Sequence, residues 1–199
     1  TTWTWSAWVK RADVTTTQSL FSCYAGTDNN DGYVNILFNA QNKLSFSGWS
    51  GSYAITNREF RDTSAWYHIV IAVDQTQSNT SDRIKIYVNG VAETFSTYSA
   101  TRSSYPISSA ITHNIGSNAY YANTTNKLQG YLAEIHFVDG QQLAATDFGA
   151  PDATTGVWNP IEYAGTHGPA LNQTRTWSGD ATATGHQTTS VSTLFNGIL

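Results

Sequence analysis

Apolar and polar residues alternate with a period of two along most of the chain. In "WTWSAWV", Trp3, Trp5, Ala7 and Val9 fall on one side, and Thr4, Ser6 and Trp8 on the other. "YHIVIAVD" places Tyr67, Ile69, Ile71 and Val73 together, and "RIKIYV" does the same for Ile84, Ile86 and Val88. "LSFSG" (Leu44, Phe46) and "YLAEIHFVDG" (Tyr131, Ala133, Ile135, Phe137) read as further strands. This spacing is that of half-buried β-strands, whose successive side chains leave opposite faces. Asn89-Gly90 supplies the positive φ angles of a two-residue hairpin turn, and Asp139-Gly140 closes the last strand. No segment holds a sustained helical repeat. "LAATDFG" (143–149) predicts one short helical turn with Thr146 as its N-cap. Many short strands separated by Asn, Gly, Asp and Ser predict an all-β sandwich or barrel.

Near residue 150 the alternation fades, and three of the four prolines follow, at 151, 160 and 169. The reading is a sandwich over 1–149 and a strap over 150–176, laid on it and pinned by Trp158 and Tyr163. Residues 177–199 read as a linker or the start of a following module, whose apolar "LFNGIL" predicts packing on a partner.

Composition narrows the class. With 40% hydrophobic residues in 199, the chain can bury a full core. Charged residues make up only 12%, about half the usual share, so Ser, Thr, Asn, Gln and Gly dominate the polar positions. A net charge of −4 without a Lys/Arg cluster argues against nucleic acid as a partner. No apolar run approaches the ~20 residues of a membrane-spanning helix. The single Cys23, in "LFSCYA", reads as a buried structural thiol. Met is absent even at position 1, which reads as a processed or excised chain.

The strings "WTWSAWVKR", "FRDTSAWYHIVIAVD", "RIKIYVNGV", "IGSN", "LQGYLAEIHFVDGQQL" and "DFGAPDATTGVWNP" occur in this order. Together they resemble the laminin-G-like, concanavalin A-like jelly-roll domains of bacteriophage tail-fibre and other virion appendage proteins. The laminin-G-like part of the likeness spans residues 3–138, and the "DGQQL…DFG…TGVW" extension points to the phage branch. Members carry one more strand before this N-terminus, which implies a domain cut from a longer polypeptide. The resemblance implies two packed antiparallel sheets with an irregular C-terminal extension. It also implies an extracellular place on the virion, as a homo-oligomer among other virion proteins, and contact with a host-surface glycan or receptor. It supplies no catalytic set. The alternatives are a purely structural or decorating virion protein that mediates assembly, and a glycan hydrolase of the same fold.

Three stretches carry candidate chemistry. "GTDNNDG" (26–32) offers Asp28 and Asp31 as calcium ligands. Calcium takes six to eight oxygens, and adjacent residues cannot all face one ion, so carbonyls or a second loop would have to complete the set. The same residue types also form a plain hairpin tip. "EIHFVD" places Glu134, His136 and Asp139 on one strand, close to the Glu-x-Asp-x-x-Glu signature of concanavalin A-like β-glucanases. Here the middle acid is His and the last lies in a turn, and retaining hydrolysis needs two carboxyl groups about 5–5.5 Å apart. Finally, "SGWSGSYA" (47–54) and "SNAYYANTTN" (117–126) set Trp49, Tyr53, Tyr120 and Tyr121, with Asn118, among Ser, Gly and Asn in loops. Aromatic faces there can stack on sugar C–H surfaces, whereas Trp3, Trp5 and Trp66 read as core or core edge.

Overall fold

The computed structural model describes residues 2–26, 32–120 and 125–165. Among these residues thirteen strands follow the alternation: β1 (Thr2–Arg11), β2 (Gln18–Tyr24), β3 (Tyr33–Phe38), β4 (Lys43–Gly48), β5 (Gly51–Glu59), β6 (Tyr67–Asp74), β7 (Ile84–Val88), β8 (Val91–Ala92), β9 (Phe95–Tyr98), β10 (Thr112–Ile115), β11 (Gly130–Asp139), β12 (Gly149–Pro151) and β13 (Trp158–Pro160). One antiparallel sheet runs β11-β1-β6-β7-β8 and the other β10-β2-β3-β4-β5-β9. The fold is an all-β concanavalin A-like jelly-roll sandwich. Among the described residues the only helices are 3-10 turns of three residues.

The two sheets bury one layer of side chains between them. Trp3, Trp5, Val9, Ile69 and Ile71 from the first sheet meet Phe21, Val34, Ile36, Leu44 and Phe46 from the second. Trp3 stacks on Phe137 at 5.9 Å and sets its ring edge-on to Phe46 at 5.6 Å. Cys23 lies in this layer, where burial pushes its thiol up to about 12. Such a thiol stays protonated and unreactive at neutral pH. Asn89 and Gly90 take φ +49° and +80°, so the β7–β8 hairpin turns as its sequence dictates.

Two features depart from the sequence expectation. Strict alternation puts Tyr131 and Ala133 on the buried face of β11, yet Tyr131 is 63% exposed and Leu132 packs against the core instead. The cause is a β-bulge: Ser6 pairs with His136 but Trp8 pairs with Ala133, so Glu134 and Ile135 stand opposite Ala7 alone. Glu134 has φ +48°, and the extra residue flips the facing of everything before it. The short helical turn is Ala145–Asp147, capped by Ala144 rather than Thr146. Its capping carboxylate comes from Asp147, which accepts the Ala144 N–H at 2.8 Å.

The outer face of the five-stranded sheet carries a second apolar cluster of Val70, Val138, Ala145, Phe148 and Tyr163, with Trp158 packed against it. Trp158 Nε1 donates to His68 Nδ1 at 2.9 Å, and the two rings stack at 6.0 Å. The His68 ring also stacks on Trp8 at 5.1 Å. Because Nδ1 accepts, Nε2 carries the proton and donates to Ser6 Oγ at 2.9 Å. Gly90 and Gly149 make room for the indole: a Cβ at either would fall 2.5–2.6 Å from its ring atoms. Residues 177–199 and the end of the 150–176 segment lie outside the described residues.

Candidate functional site

Tyr24 and Tyr33 are register partners where β2 and β3 meet the loop containing "GTDNNDG". Their neighbours Cys23 and Val34 point into the core, so alternation turns both tyrosines outward. Ala25 N–H donates to Gly32 O at 2.8 Å across the neck, so the stretch is a hairpin connection. The proposed calcium ligands Asp28 and Asp31 lie outside the described residues.

Trp49 occupies the tight turn between β4 and β5, where Gly48 pairs with Gly51, and it is 40% exposed. Tyr120 follows β10. Its ring meets Trp49 at 4.9 Å, Tyr24 at 5.1 Å and Tyr33 at 5.9 Å. Tyr33 and Trp49 are 6.4 Å apart and nearly perpendicular. Four rings from two hairpins and one loop therefore converge on the outer side of the six-stranded sheet.

Hydrogen bonds fix the cluster from beneath. The Tyr33 hydroxyl accepts from Asn118 Nδ2 at 2.8 Å and from Asn35 Nδ2 at 3.0 Å. Asn118 Oδ1 accepts the Tyr120 N–H at 3.0 Å. Ser22 Oγ donates to Ser117 O and accepts the Ala119 N–H, at 2.8 and 2.7 Å, which fastens the loop to β2. Beside this floor the hydroxyls of Ser45, Ser47 and Ser52 form a triangle with sides of 2.7–3.1 Å. An open groove runs past Tyr24, lined by Ala25, Gly26 and residues 110–113.

Of the residues singled out in the sequence, Trp49 and Tyr120 come together here, and Tyr121 lies outside the described residues. Asn118 is 2% exposed; it positions two rings and does not itself face solvent. Tyr53 does not belong to the site. It is 6% exposed and packs on Phe46 and Tyr105 in the core. Gly48 causes this, because its bare Cα leaves the space that the Tyr53 hydroxyl occupies. Trp66, read as core edge, is instead 39% exposed beside Tyr131. Tyr24 and Tyr33 were not singled out. The available signal was two aromatics at strand ends, out of phase with the buried Cys23 and Val34.

The acidic strand does not assemble a carboxylate pair. Asp139 pairs with Trp3, whose side chain faces the core. Glu134 lies 3.8 Å from His136, a residue that stacks at 5.3 Å on Phe148 in the outer cluster. Glu134 and Asp139, an odd number of residues apart on the C-terminal side of the bulge, therefore leave opposite faces of β11. Among the described residues no group of three or more His, Cys, Asp or Glu side chains is placed to hold a metal ion.

A family model described as the concanavalin A-like lectin/glucanases superfamily matches residues 1–147. The chain belongs to this superfamily. No curated protein matches its sequence. Solved structures similar to this superfamily domain include a candidate carbohydrate-binding protein from Bacteroides ovatus (TM-score 0.54, 15% identity), which covers 85% of this chain and 48% of its own length. The CBM40 module of the Ruminococcus gnavus IT-sialidase, bound to α2,3-sialyllactose, gives a TM-score of 0.55 at 15% identity over 73% of this chain and 79% of that one. A Trypanosoma rangeli sialidase in complex with sialic acid gives 0.51 at 15% identity, over 73% and 22%. The chain thus spans about half of the Bacteroides protein. At this identity the likeness is one of fold, and function has to be argued from the site.

Proposed function

We propose that this domain is a non-catalytic glycan-binding module whose contact surface is the Tyr24–Tyr33–Trp49–Tyr120 cluster. The observation that carries the reading is the half-open Trp49 ring, held against Tyr33 and Tyr120 above a neutral Asn/Ser floor. A pyranose presents a C–H face that packs on such rings, and hydroxyls that the surrounding Ser and Asn groups can meet. That several structures of the same fold are described as carbohydrate-binding supports the reading. The separation of Glu134 and Asp139 on β11 speaks for binding without hydrolysis.

The same strings that resemble phage appendage domains support a finer proposal. The module sits on a virion tail fibre or surface appendage, in a homo-oligomer with other virion proteins, and contacts the host-surface glycan. A single shallow site binds weakly, and several copies on one particle raise the avidity. Immunogold labelling of particles with antibody against this chain tests the location; label elsewhere than on an appendage overturns it. Affinity electrophoresis through gels containing host-surface polysaccharide tests the site. The chain is retarded, and Trp49→Ala weakens retention about tenfold, the factor that ~1.4 kcal/mol makes. Equal retention of the two proteins would show that the cluster is not the contact surface. No retention of either would favour the purely structural role.

A further inference from the structure

We infer that the aromatic platform takes uncharged glycans and turns away those bearing sialic or uronic acids. The inference rests on the glycan-binding reading and concerns the charge of the ligand. The described residues that build the platform, 24–26, 32–33, 47–54 and 110–120, contain no Lys or Arg.

The basic residues nearest in sequence are placed elsewhere, Arg58 against Glu93 at 2.8 Å. Lys127 lies between Asn126, whose carbonyl accepts the Ser19 N–H, and Leu128, which donates to Gly116 O. It therefore flanks the start of β2, about 15 Å along the strand from Tyr24. Lys43 opens β4 and pairs in register with Glu59, at the far end of the strand from Trp49. Arg102 rests 5.9 Å from the ring centres of Tyr53 and Tyr105, both members of the core layer. His113 lines the groove beside Tyr24. Its two ring nitrogens lie 2.8 and 2.7 Å from the carbonyls of Ile111 and Ile107, so the imidazole is turned into its own loop.

The polar groups under the platform are likewise neutral and largely engaged with one another. Asn118 serves Tyr33 and Tyr120, Asn35 serves Tyr33 and Ser19, and Ser22 serves the 117–119 backbone. A carboxylate brought onto these rings loses water and gains no cation or guanidinium fork in exchange. An uncharged pyranose incurs no such penalty, because its apolar face meets the rings and its hydroxyls stay at the wet rim. The chain therefore differs in ligand charge from the similar sialidase module that was solved with sialyllactose.

The test is a microarray of neutral hexose and N-acetylhexosamine oligosaccharides, each printed beside its sialylated and uronic-acid-bearing counterpart. It is probed with the full chain and with Trp49→Ala at about 50 and 500 mM NaCl, a range that removes most screened electrostatics. The expected result is signal on neutral members, reduced about tenfold by the substitution and changed by less than roughly twofold between the two salts. Trp49-dependent signal stronger on acidic members than on their neutral parents overturns the inference and leaves the glycan-binding reading standing. No Trp49-dependent signal on any member overturns the glycan-binding reading itself. Unchanged melting of Trp49→Ala, whose ring is half in solvent, shows that loss of signal is not loss of fold.

Discussion

At the scale of single residues, Asn118 shows how a buried amide can matter to a surface it does not reach. Its Nδ2 holds the Tyr33 hydroxyl and its Oδ1 holds the Tyr120 backbone, so one side chain sets the angle between two rings. Asn118→Ala removes both bonds, leaving the Tyr33 hydroxyl to Asn35, at a cost of about 1–3 kcal/mol. Urea denaturation gives the stability loss. Titration with whichever neutral oligosaccharide the chain retains should show weaker binding with Trp49 still in place. An unchanged affinity would mean that the rings hold their arrangement without this bond. Arg11 illustrates the opposite case, a buried residue of purely structural consequence. Its guanidinium lies 4.5 Å over Phe38 and donates to Phe60 O and Asn42 Oδ1, at 2.7 and 2.8 Å, closing the far end of the sandwich. Burial lowers its pKa, with Asp13 and Tyr67 opposing the shift.

At the scale of elements, the β12–β13 pair is attached to the sandwich chiefly through Trp158. The indole fits only because residue 149 has no side chain: a Cβ there would lie 2.6 Å from its Cε2 and Nε1 atoms. Gly149→Ala is therefore expected to push Trp158 off His68 and to destabilise the chain by about 1–3 kcal/mol, as overpacking does. Tryptophan fluorescence shifts as the ring meets water. Adding Trp158→Phe to Gly149→Ala, which restores the space, recovers part of the loss. If Gly149→Ala alone melts like the parent, the indole is not seated as described. The bulge in β11 is the other lesson at this scale. Alternation identified the strand, but the phase of its first half was inverted, because one inserted residue at Glu134 is invisible to a count of two.

At the scale of the whole molecule, acid stability follows from where His68 sits. Burial, with a smaller contribution from neighbouring His136, lowers its pKa to about 4. In the unfolded chain the imidazole titrates near ~6.5. Between these values the unfolded chain takes up a proton that the folded chain refuses, so stability is complete above ~6.5 and declines as pH falls toward 4. At ~1.4 kcal/mol per pH unit the decline approaches about 3 kcal/mol. Protonation of Nδ1 in the folded chain removes the acceptor for Trp158, so the β12–β13 pair should loosen only as pH falls to about 4 and below. Melting temperature followed from pH 7 to 4 should fall more steeply in the parent than in His68→Gln, and parallel curves would refute the assignment. Asp74 acts lower. Hydrogen bonds from Thr76, Gln77 and Thr2 hold its carboxyl at about 2, so its share of stability is lost only as pH drops below the usual carboxylate range.

The sequence alone determined the sandwich, because alternation is a local property and each strand declares its buried face within a few residues. It also determined the membership in the superfamily, through strings that repeat that alternation in a fixed order, and the scarcity of charge at the proposed site. The tertiary structure alone decided which aromatics meet. Residues 24, 33, 49 and 120 are distant in sequence and converge only through the order β10-β2-β3-β4-β5. It decided as well that Tyr53 turns inward, into the space left by Gly48 of the same short hairpin, while Trp49 stays out. The physical reason is the same in both cases: alternation says which side of a strand a residue leaves, but only neighbouring strands and the space a glycine leaves decide what it then touches.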